Sequence, residues 1–211
     1  MGTFEEVLQQ LELHRLVPVV TVEDSSVAGL LGEALKDGGL PAVEITLRTP
    51  SGLDVIQRLA ADPELIVGAG TVVTTDHVDL VARTGARFVV SPGFDRDVVS
   101  RAVEQGLLPI PGIATATELQ AGLRAGLEVF KFFPAEALGG VRTLRALSEP
   151  FQDVRFMPTG GITPANVRSY LDMSCVFAIG SSWPLPQQLL DGHDQAHLTE
   201  AIAEAAIIVH R

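Results

Sequence analysis

Lys131 is one of only two lysines in this chain of 211 residues, and it lies in the apolar segment VFKFF, which begins at Val129. Side chains alternate between the two faces of a β-strand, so Lys131 is expected on the face opposite Phe130 and Phe132. If these phenylalanines pack beneath helices, the lysine points into the interior. Burial there disfavours the ammonium and leaves an amine that can attack a carbonyl carbon. The alternative is a buried lysine paired with a carboxylate for structural reasons.

A second apolar segment, AVEITL from Ala42, carries polar residues on one face. Glu44, Thr46 and Arg48 share that face because they alternate with apolar residues. A carboxylate, a hydroxyl and a guanidinium in an interior are costly unless they meet a substrate or one another. Glu44 is therefore a candidate for proton transfer and Arg48 for bidentate binding of a substrate carboxylate. A structural ion pair is the alternative.

Two glycine-containing turns near the C-terminus have residue types that suit phosphate binding. The first, in PTGGITP, contains Gly160 and Gly161, and the second, in IGSSW, contains Gly180, Ser181 and Ser182. Each follows a predicted strand and opens onto a helix, where backbone N–H groups can bind an anion that glycine lets approach. In barrels of alternating strands and helices, the turns after strands seven and eight are the usual phosphate site. A tight turn without a ligand is the alternative.

Two further strand ends contain small residues, GAGT ending at Thr71 and SPG around Pro92. Thr71 is placed to hydrogen-bond a bound carboxylate or the oxygen of the carbonyl group that becomes the imine. Small residues at the crowded end of a short barrel explain both segments equally well.

The chain alternates β-rich segments with helical patterns, at intervals of about one strand plus one helix. The eight predicted strands are VPVVTV, AVEITL, LIVGAGT, FVVS, LLPI, VFKFF, VRFMP and VFAIG. We therefore predict an α/β fold, a single (β/α)8 TIM barrel domain over residues 1–211 with an extra N-terminal helix at about residues 3–13. A doubly wound sheet is the alternative, but it requires a glycine-rich turn after the first strand, and VPVVTVEDSS has no glycine.

Local signals predict where three helices begin. Thr115 and Glu118 have the spacing of a capping box. Thr49 and Thr163 each precede a proline, as an N-cap precedes proline at the first helical position. We expect helices to follow each threonine directly.

Composition excludes several classes of function. Lys+Arg 15 against Asp+Glu 26 gives a net charge of −11, which repels phosphodiester backbones and anionic lipid, so neither nucleic acid nor membrane is expected as a partner. The single Cys175 cannot form an intrachain disulfide, and no His, Asp and Glu cluster suggests a metal site, so no metal or other cofactor is expected. The N-terminus lacks the pattern of a signal peptide, and a cytoplasmic location is expected.

Taken together, these motifs resemble the 2-keto-3-deoxy-6-phosphogluconate aldolase (KDPG/KHG aldolase) family of class I, Schiff-base enzymes. The resemblance runs nearly from end to end, and the combination of TLRT, FKFFPAE and PTGGI is its specific part. The matching segments are VPVV, EITLRT, VGAGTV, SPG, IPGI, FKFFPAE, PTGGI and IGSSW. The resemblance implies that Lys131 forms the imine with the keto acid and that Glu44 is the general acid/base, usually through water.

The resemblance also implies a role for the other candidates. Arg48 and Thr71 would bind the keto-acid end of the substrate, and Pro92 and Phe133 would form the pocket wall. Thr159 would lie near the middle hydroxyls of the substrate. The phosphate would be bound by Gly160, Gly161 and Ser182. The turn Gly180-Ser181-Ser182 departs slightly from the family, in which some members carry two glycines before the serine. Arg15 either faces the site or is a surface arginine.

The resemblance implies a lyase of the Entner–Doudoroff pathway that acts as a homotrimer without a cofactor. Its expected reaction is reversible cleavage of 2-keto-3-deoxy-6-phosphogluconate to pyruvate and glyceraldehyde 3-phosphate. Three alternatives stay open: an aldolase for 4-hydroxy-2-oxoglutarate or for the galactonate epimer, a phosphate-binding isomerase or synthase without an imine, and a sugar-phosphate-binding barrel without catalysis.

Overall fold

The computed structural model describes residues 3–211, in which short β-strands alternate with helices. The strands are β1 (Leu16–Val20), β2 (Ala42–Thr46), β3 (Ile66–Gly70), β4 (Phe88–Val90), β5 (Leu108–Ile110), β6 (Gly112–Ile113), β7 (Val129–Phe132), β8 (Arg155–Pro158) and β9 (Ile179–Ser181). The α-helices are α1 (Phe4–His14), α2 (Ala28–Asp37), α3 (Gly52–Ala60), α4 (Thr75–Ala82), α5 (Arg96–Glu104), α6 (Ala116–Arg124), α7 (Gly140–Ser148), α8 (Val167–Leu171), α9 (Gln187–Asp191) and α10 (Gln195–His210). Short 3₁₀ helices span Ser25–Val27 and Glu136–Leu138.

The strands form two sheets in which the paired strands run parallel. One sheet has the strand order β5-β4-β3-β2-β1-β9, and the other has the order β6-β7-β8. Two isolated bridges, Phe156 with Val176 and Thr159 with Gly180, connect β8 with the segment around β9. The structure is therefore an α/β fold with a curled parallel sheet, as the alternation of strands and helices predicts.

The predicted fifth strand, LLPI from Leu107, is present as β5, and a short strand that was not predicted, β6, follows Pro111. Proline has no backbone N–H, so the ladder is interrupted, and β5 ends at Ile110 while β6 begins at Gly112. The carbonyl of Pro111 still accepts the N–H of Lys131 at 2.9 Å. Because β5 pairs with β4 and β6 pairs with β7, this one segment belongs to both sheets.

Apolar side chains of the strands divide between two clusters, as strand alternation predicts. Val43 and Ile45 of β2, like Phe130 and Phe132 of β7, belong to the larger cluster between the strands and the helices. The opposite faces contribute to a smaller inner cluster, which includes Val17, Ala42, Ile66, Phe88, Leu108, Val129 and Met157. The polar residues of β2 and β7 that alternate with the outer set therefore face inward.

The predicted N-terminal helix is present as α1. The Thr3 side chain accepts the N–H of Glu6 and the Glu6 side chain accepts the N–H of Thr3, which completes a capping box. Val7, Leu8 and Leu11 belong to the inner cluster. The helix thus packs its apolar face against the strand residues of the inner cluster.

One of the three predicted helix starts is confirmed. Thr115 and Glu118 form the capping box at the start of α6. The predictions for Thr49 and Thr163 are wrong, because α3 begins only at Gly52 and α8 only at Val167. The N–H of Thr163 donates to the Asn166 side chain at 2.8 Å within a turn that leads into α8. None of the helices within residues 3–211 combines the length and apolar character that crossing a membrane requires.

Candidate active site

Lys131 and Glu44 meet in the interior, although they belong to different sheets. Lys131 Nζ donates to Glu44 Oε1 across 3.4 Å, which is long for a charged pair. Only 6% of Lys131 and 1% of Glu44 is exposed. The second carboxylate oxygen, Glu44 Oε2, is buried and has no hydrogen-bond partner within residues 3–211. The pair is therefore buried but loosely bonded, and it keeps an acceptor for another group.

Glycines of β3 make room for the Glu44 carboxylate. The register places Glu44 beside Gly68 and Thr46 beside Gly70. A Cβ on Gly70 would overlap Glu44 Oε1, so a larger residue would displace the carboxylate from Lys131. Gly70 of the GAGT segment is therefore needed to leave space for the Glu44 carboxylate.

A cavity of about 760 Å³ opens beside this pair at the carboxyl ends of the strands. Phe133 connects the two features, because its ring lines the cavity and its centroid lies 5.1 Å from Lys131 Nζ. The predicted residues that line the cavity are Arg48, Phe133, Thr159, Gly160, Gly161, Ser181 and Ser182. Sequence reasoning missed Thr21, Ile162, Trp183, Leu185 and Gln187, which also line it. The signal that could have found them was their position after predicted strands or, for Thr21, near the end of the predicted strand VPVVTV.

Two of the lining residues join β1 and β2 at the cavity wall. The hydroxyl oxygens of Thr21 and Thr46 lie 2.8 Å apart, and Thr46 is buried on the same face of β2 as Glu44. Arg48 follows on that face and is exposed at the mouth. The polar face of β2 therefore runs from the interior to the opening, as its alternation predicts.

The Thr159–Thr163 turn presents backbone N–H groups without partners. Its four successive carbonyls, in residues 159–162, all accept hydrogen bonds from the protein. The donors, in the same order, are Ala135 N–H at 2.8 Å, Glu136 N–H at 3.1 Å, Asn166 Nδ2 at 3.2 Å and Ser181 Oγ at 2.7 Å. By contrast, no hydrogen bond found within residues 3–211 uses an N–H of residues 160–162 as its donor.

Glycine is required in that turn for conformational reasons. Gly160 and Gly161 have φ angles of 100° and 77°, in the left-handed region that side chains disfavour. Consecutive backbone N–H groups in such a turn form a concave anion site. This geometry is what a phosphate needs in a protein with few cationic side chains.

Residues of the second turn shape the cavity in different ways. The Ser181 hydroxyl donates to the carbonyl of Ile162, so it ties the two turns together. A Cβ on Gly180 would overlap Thr159 Oγ1, so this glycine makes room for the threonine side chain. Ser182 is exposed and lines the cavity.

Thr71 and Pro92 lie near the Lys131–Glu44 pair but are not among the cavity-lining residues. Thr71 follows β3 directly, is half-buried and has a φ angle of 60°. The Pro92 carbonyl lies so close to Gly112 that a Cβ there would overlap it, and Gly112 pairs with Lys131 in the sheet.

Arg15 does not face the cavity. It precedes β1, at the opposite end of the strands, and its guanidinium donates to the carbonyl of Leu171 at 2.9 Å. Of the two interpretations that the sequence leaves open for Arg15, the structure excludes the first, because this arginine binds the C-terminus of α8.

The cavity thus combines a guanidinium with a turn that offers backbone N–H groups, and the buried amine and carboxylate lie beside the cavity without lining it. Within residues 3–211, no three or more His, Cys, Asp or Glu side chains are grouped to hold a metal ion. A nucleophilic amine beside a proton acceptor suits covalent chemistry on a carbonyl compound, and the flanking groups suit one with anionic ends.

Comparison with known proteins agrees with this chemistry. A model of the KDPG and KHG aldolase family matches residues 7–201 of the chain. The chain belongs to this family. The KHG/KDPG aldolase of Escherichia coli (strain K12) is 44% identical to it over 191 residues, which cover 90% of each protein.

Solved structures of KDPG aldolases share the fold. The Zymomonas mobilis ZM4 enzyme with 3-phosphoglycerate has a TM-score of 0.89 and 38% identity, covering 96% of this chain and 94% of that one. The Legionella pneumophila KDPG aldolase, with pyruvate captured at low pH as a covalent carbinolamine intermediate, has a TM-score of 0.90 and 36% identity, covering 96% and 98%. This aldolase is therefore a carbon–carbon lyase of the Schiff-base type.

Proposed function

We propose that this aldolase reversibly cleaves 2-keto-3-deoxy-6-phosphogluconate to pyruvate and glyceraldehyde 3-phosphate through an imine on Lys131. The observation that carries the proposal is the buried Lys131 amine, 3.4 Å from Glu44 and beside a cavity that ends in an anion-binding turn. The names of its relatives, which include KDPG aldolases from several bacteria, support the substrate.

Imine formation is the first stage. The neutral amine of Lys131 attacks C2 of the keto acid, the carbonyl oxygen gains a proton, and the resulting carbinolamine loses water to give a protonated imine. Glu44 supplies and accepts these protons directly or through water. Its position beside Nζ and its unpartnered Oε2 support this role.

Carbon–carbon cleavage is the second stage. The electron pair of the C3–C4 bond moves into the iminium and leaves an enamine, while Glu44 takes the C4 hydroxyl proton and glyceraldehyde 3-phosphate departs. Protonation of the enamine at C3 and hydrolysis of the imine then release pyruvate and restore the Lys131 amine. Neither a metal nor an organic cofactor takes part in these steps.

The keto-acid end of the substrate lies near β2 and β3 in this proposal. Arg48 lines the cavity, and its guanidinium can bind the carboxylate bidentately. The hydroxyl of Thr71 adds a hydrogen bond at this end, and Phe133 and Pro92 form the wall that orients the imine. The ring of Phe133, 5.1 Å from Nζ, supports its part in this wall.

The phosphate end lies at the two glycine turns. The unpartnered N–H groups of Gly160 and Gly161, with Ser182, bind the phosphate, and Thr159 contacts the middle hydroxyls. Ser181 contributes by holding the turns together, because its hydroxyl is already bonded to a carbonyl. Gly180 contributes the space for Thr159.

A second substrate, 4-hydroxy-2-oxoglutarate, is favoured by the double name of the Escherichia coli relative. It would use the same imine chemistry but has no phosphate for the glycine turns. We expect a lower kcat/KM for 4-hydroxy-2-oxoglutarate than for 2-keto-3-deoxy-6-phosphogluconate. We also expect a lower kcat/KM for the galactonate epimer, because its C4 hydroxyl points the other way. Initial rates on the three compounds measure this ranking.

The two sheets, in our interpretation, close into a (β/α)8 barrel that forms one domain over residues 1–211, with α1 as an additional helix. Three features support closure: the segment around Pro111 belongs to both sheets, and two isolated bridges connect β8 with the segment around β9. Counting β5 and β6 as one position gives the eight strands that the barrel requires.

We further propose a homotrimer in the cytoplasm that binds this small phosphorylated keto acid rather than nucleic acid or membrane. Exposed Leu80 of α4 and Val103 of α5 offer apolar surface for a subunit contact. A phosphorylated acid cannot cross membranes unaided, so the enzyme must meet it in the compartment where it is made. Light scattering should give three times the 22.4 kDa of one chain, and a monomer would contradict the trimer.

A coupled assay tests the proposed reaction. Pyruvate released from 2-keto-3-deoxy-6-phosphogluconate is followed with lactate dehydrogenase and NADH, for the unaltered protein and for Lys131→Arg. We expect rapid turnover that the arginine variant lacks, because guanidinium cannot form the imine. Turnover that survives in the variant would instead support a phosphate-binding barrel of different chemistry.

A further inference from the structure

Asn166 follows the Thr159–Thr163 turn and its side chain reaches back to that turn twice. Its Nδ2 donates to the Gly161 carbonyl at 3.2 Å, and its Oδ1 accepts the Thr163 N–H at 2.8 Å. One amide group therefore bridges the peptides on both sides of Ile162.

Tyr170, one turn further along, reaches the same segment through Glu136. The tyrosine is fully buried, and its hydroxyl donates to Glu136 Oε1. The N–H of Glu136 donates to the Gly160 carbonyl at 3.1 Å, and a Cβ on Gly161 would lie 2.7 Å from the Cβ of Glu136. Tyr170 thus holds a residue that contacts the turn through both its backbone and its side chain.

The chain has made space for the Tyr170–Glu136 contact. Gly140, with a φ angle of 61°, lies where a Cβ would be 2.8 Å from Glu136 Oε1 and 3.0 Å from the Tyr170 oxygen. Burial, with the hydrogen bond to Glu136, raises the pKa of Tyr170 above its ordinary value. The phenol therefore stays protonated, and remains a donor, throughout the neutral range.

Holding a carbonyl also aims an N–H group. In a trans peptide the C=O of one residue and the N–H of the next point in opposite directions. Fixing the Gly160 carbonyl on Glu136 therefore turns the Gly161 N–H away from Glu136, and fixing the Gly161 carbonyl on Asn166 does the same for the Ile162 N–H. Neither N–H donates to any group found within residues 3–211.

We propose that Asn166 and Tyr170 are positioning residues for the substrate phosphate, because they hold the Gly160 and Gly161 carbonyls back and so keep the N–H groups of the turn aimed into the cavity. The identity of the phosphorylated substrate rests on the proposed function. Binding of phosphate itself to the turn does not depend on it.

The test separates the phosphate end from the imine end. Asn166→Ala and Tyr170→Phe are compared with the unaltered protein in KM and kcat for 2-keto-3-deoxy-6-phosphogluconate, in calorimetric titration with inorganic phosphate, and in borohydride trapping of pyruvate on Lys131. We expect KM and the phosphate dissociation constant to rise roughly three- to tenfold in both variants, the effect of losing about one hydrogen bond. Trapping of pyruvate, which has no phosphate, should stay within about twofold of the unaltered protein.

Matched variants identify the contact responsible. Ser169→Ala changes an exposed residue between Asn166 and Tyr170 and should leave all three measurements unchanged. Glu136→Gln keeps an oxygen that accepts from Tyr170 and should restore near-normal phosphate binding, whereas Glu136→Ala should match Tyr170→Phe.

Three results would overturn the inference. The first is an equal loss of phosphate binding and pyruvate trapping, which indicates general damage to the fold. The second is an unchanged phosphate affinity in Asn166→Ala and Tyr170→Phe, and the third is that the unaltered protein does not bind phosphate. Failure of the unaltered protein to trap pyruvate would contradict the proposed function alone, because phosphate titration still tests the positioning residues.

Discussion

The chain has two lysines, and each lies beside a carboxylate in a different way. Lys36, at the end of α2, places Nζ 2.6 Å from Asp62 Oδ2 and 3.5 Å from Glu64 Oε2, with 30% of its side chain exposed. Lys131 places Nζ 3.4 Å from Glu44 Oε1, with 8% of its side chain exposed. The half-buried lysine, Lys36, therefore has the shorter ion pair, and the buried lysine, Lys131, has the longer one.

This difference supports the proposal that Lys131 is the nucleophile and Lys36 a structural residue. The hydrogen bond that Lys36 donates to Asp62 raises the pKa of Lys36, so its ammonium is held in the charged form. Lys131 has no such short partner, and it lies beside a cavity that can admit a carbonyl compound. Lys131 is buried, with the Glu44 carboxylate 3.4 Å away and a cavity beside it, whereas the Lys36 ammonium is held by two carboxylates and does not line that cavity.

The strongest test of the comparison exchanges the two lysines for residues without an amine. Lys131→Ala should lower kcat by more than about 10⁴-fold, because the covalent step disappears. Lys36→Met should leave kcat unchanged, because this residue lies far from the cavity. Pyruvate release in the coupled assay measures both, and comparable losses in the two variants would contradict the distinction.

A smaller loss is expected when the carboxylate is altered and the amine kept. Glu44→Gln should lower kcat by about 100-fold or more, the usual contribution of a general acid/base. Imine formation should persist in part, because attack by a neutral amine does not need the carboxylate. Stopped-flow turnover beside borohydride trapping measures the two steps, and undiminished kcat would exclude Glu44 from proton transfer.

Gly161→Ala tests the proposed phosphate site separately, because it leaves Lys131 and Glu44 in place. The left-handed φ of 77° costs an alanine about 1–2 kcal/mol, and the new Cβ would also crowd Glu136. We expect KM for the phosphorylated substrate to rise about tenfold while pyruvate trapping is retained.

Gly126→Ala is the matched control for this glycine. Gly126 has a similar φ of 83°, but a Cβ there would meet nothing within 4 Å. This variant should lose comparable conformational stability and keep the KM of the unaltered protein. A similar rise of KM in both variants would show that backbone strain alone is responsible.

The smallest effect concerns the surface pair. The hydrogen bond from Lys36 lowers the pKa of Asp62, as does the backbone N–H of Glu64. Because the folded-state pKa is depressed, this stabilisation is present above the unfolded value of about 3.9 and is lost as the pH falls through the folded value. Lys36→Met should thus lower the melting temperature by about 2 °C near neutrality and by less in acid. A melting-temperature gap that persists in acid would contradict this pairing.

Much of the site follows from strand alternation. Placing Lys131 opposite Phe130 and Phe132, and Glu44 opposite Val43 and Ile45, requires nothing beyond the period of a β-strand. The segment around Pro111 belongs to both sheets and joins them, and the two polar side chains meet in the interior. The glycine turns were also recognisable, since their residue types suit both the conformation and the ligand.

What sequence reasoning missed depends on contacts between distant segments. Tyr170 looks like any buried aromatic residue, and its bond to Glu136 crosses 34 residues. The helix predicted directly after Thr163 begins only at Val167, and the contact between the Asn166 side chain and the Thr163 N–H was not foreseen from the sequence. Similarly, the additional strand β6 depends on where Pro111 interrupts the ladder.

Borohydride trapping with pyruvate, followed by peptide mapping in a mass spectrometer, tests most directly whether Lys131 forms a Schiff base. We expect a pyruvate-sized adduct on the peptide that contains Lys131, no adduct on Lys36, and none at either position without borohydride. An adduct on Lys36 alone, or none at all, would contradict a Schiff base on the buried lysine.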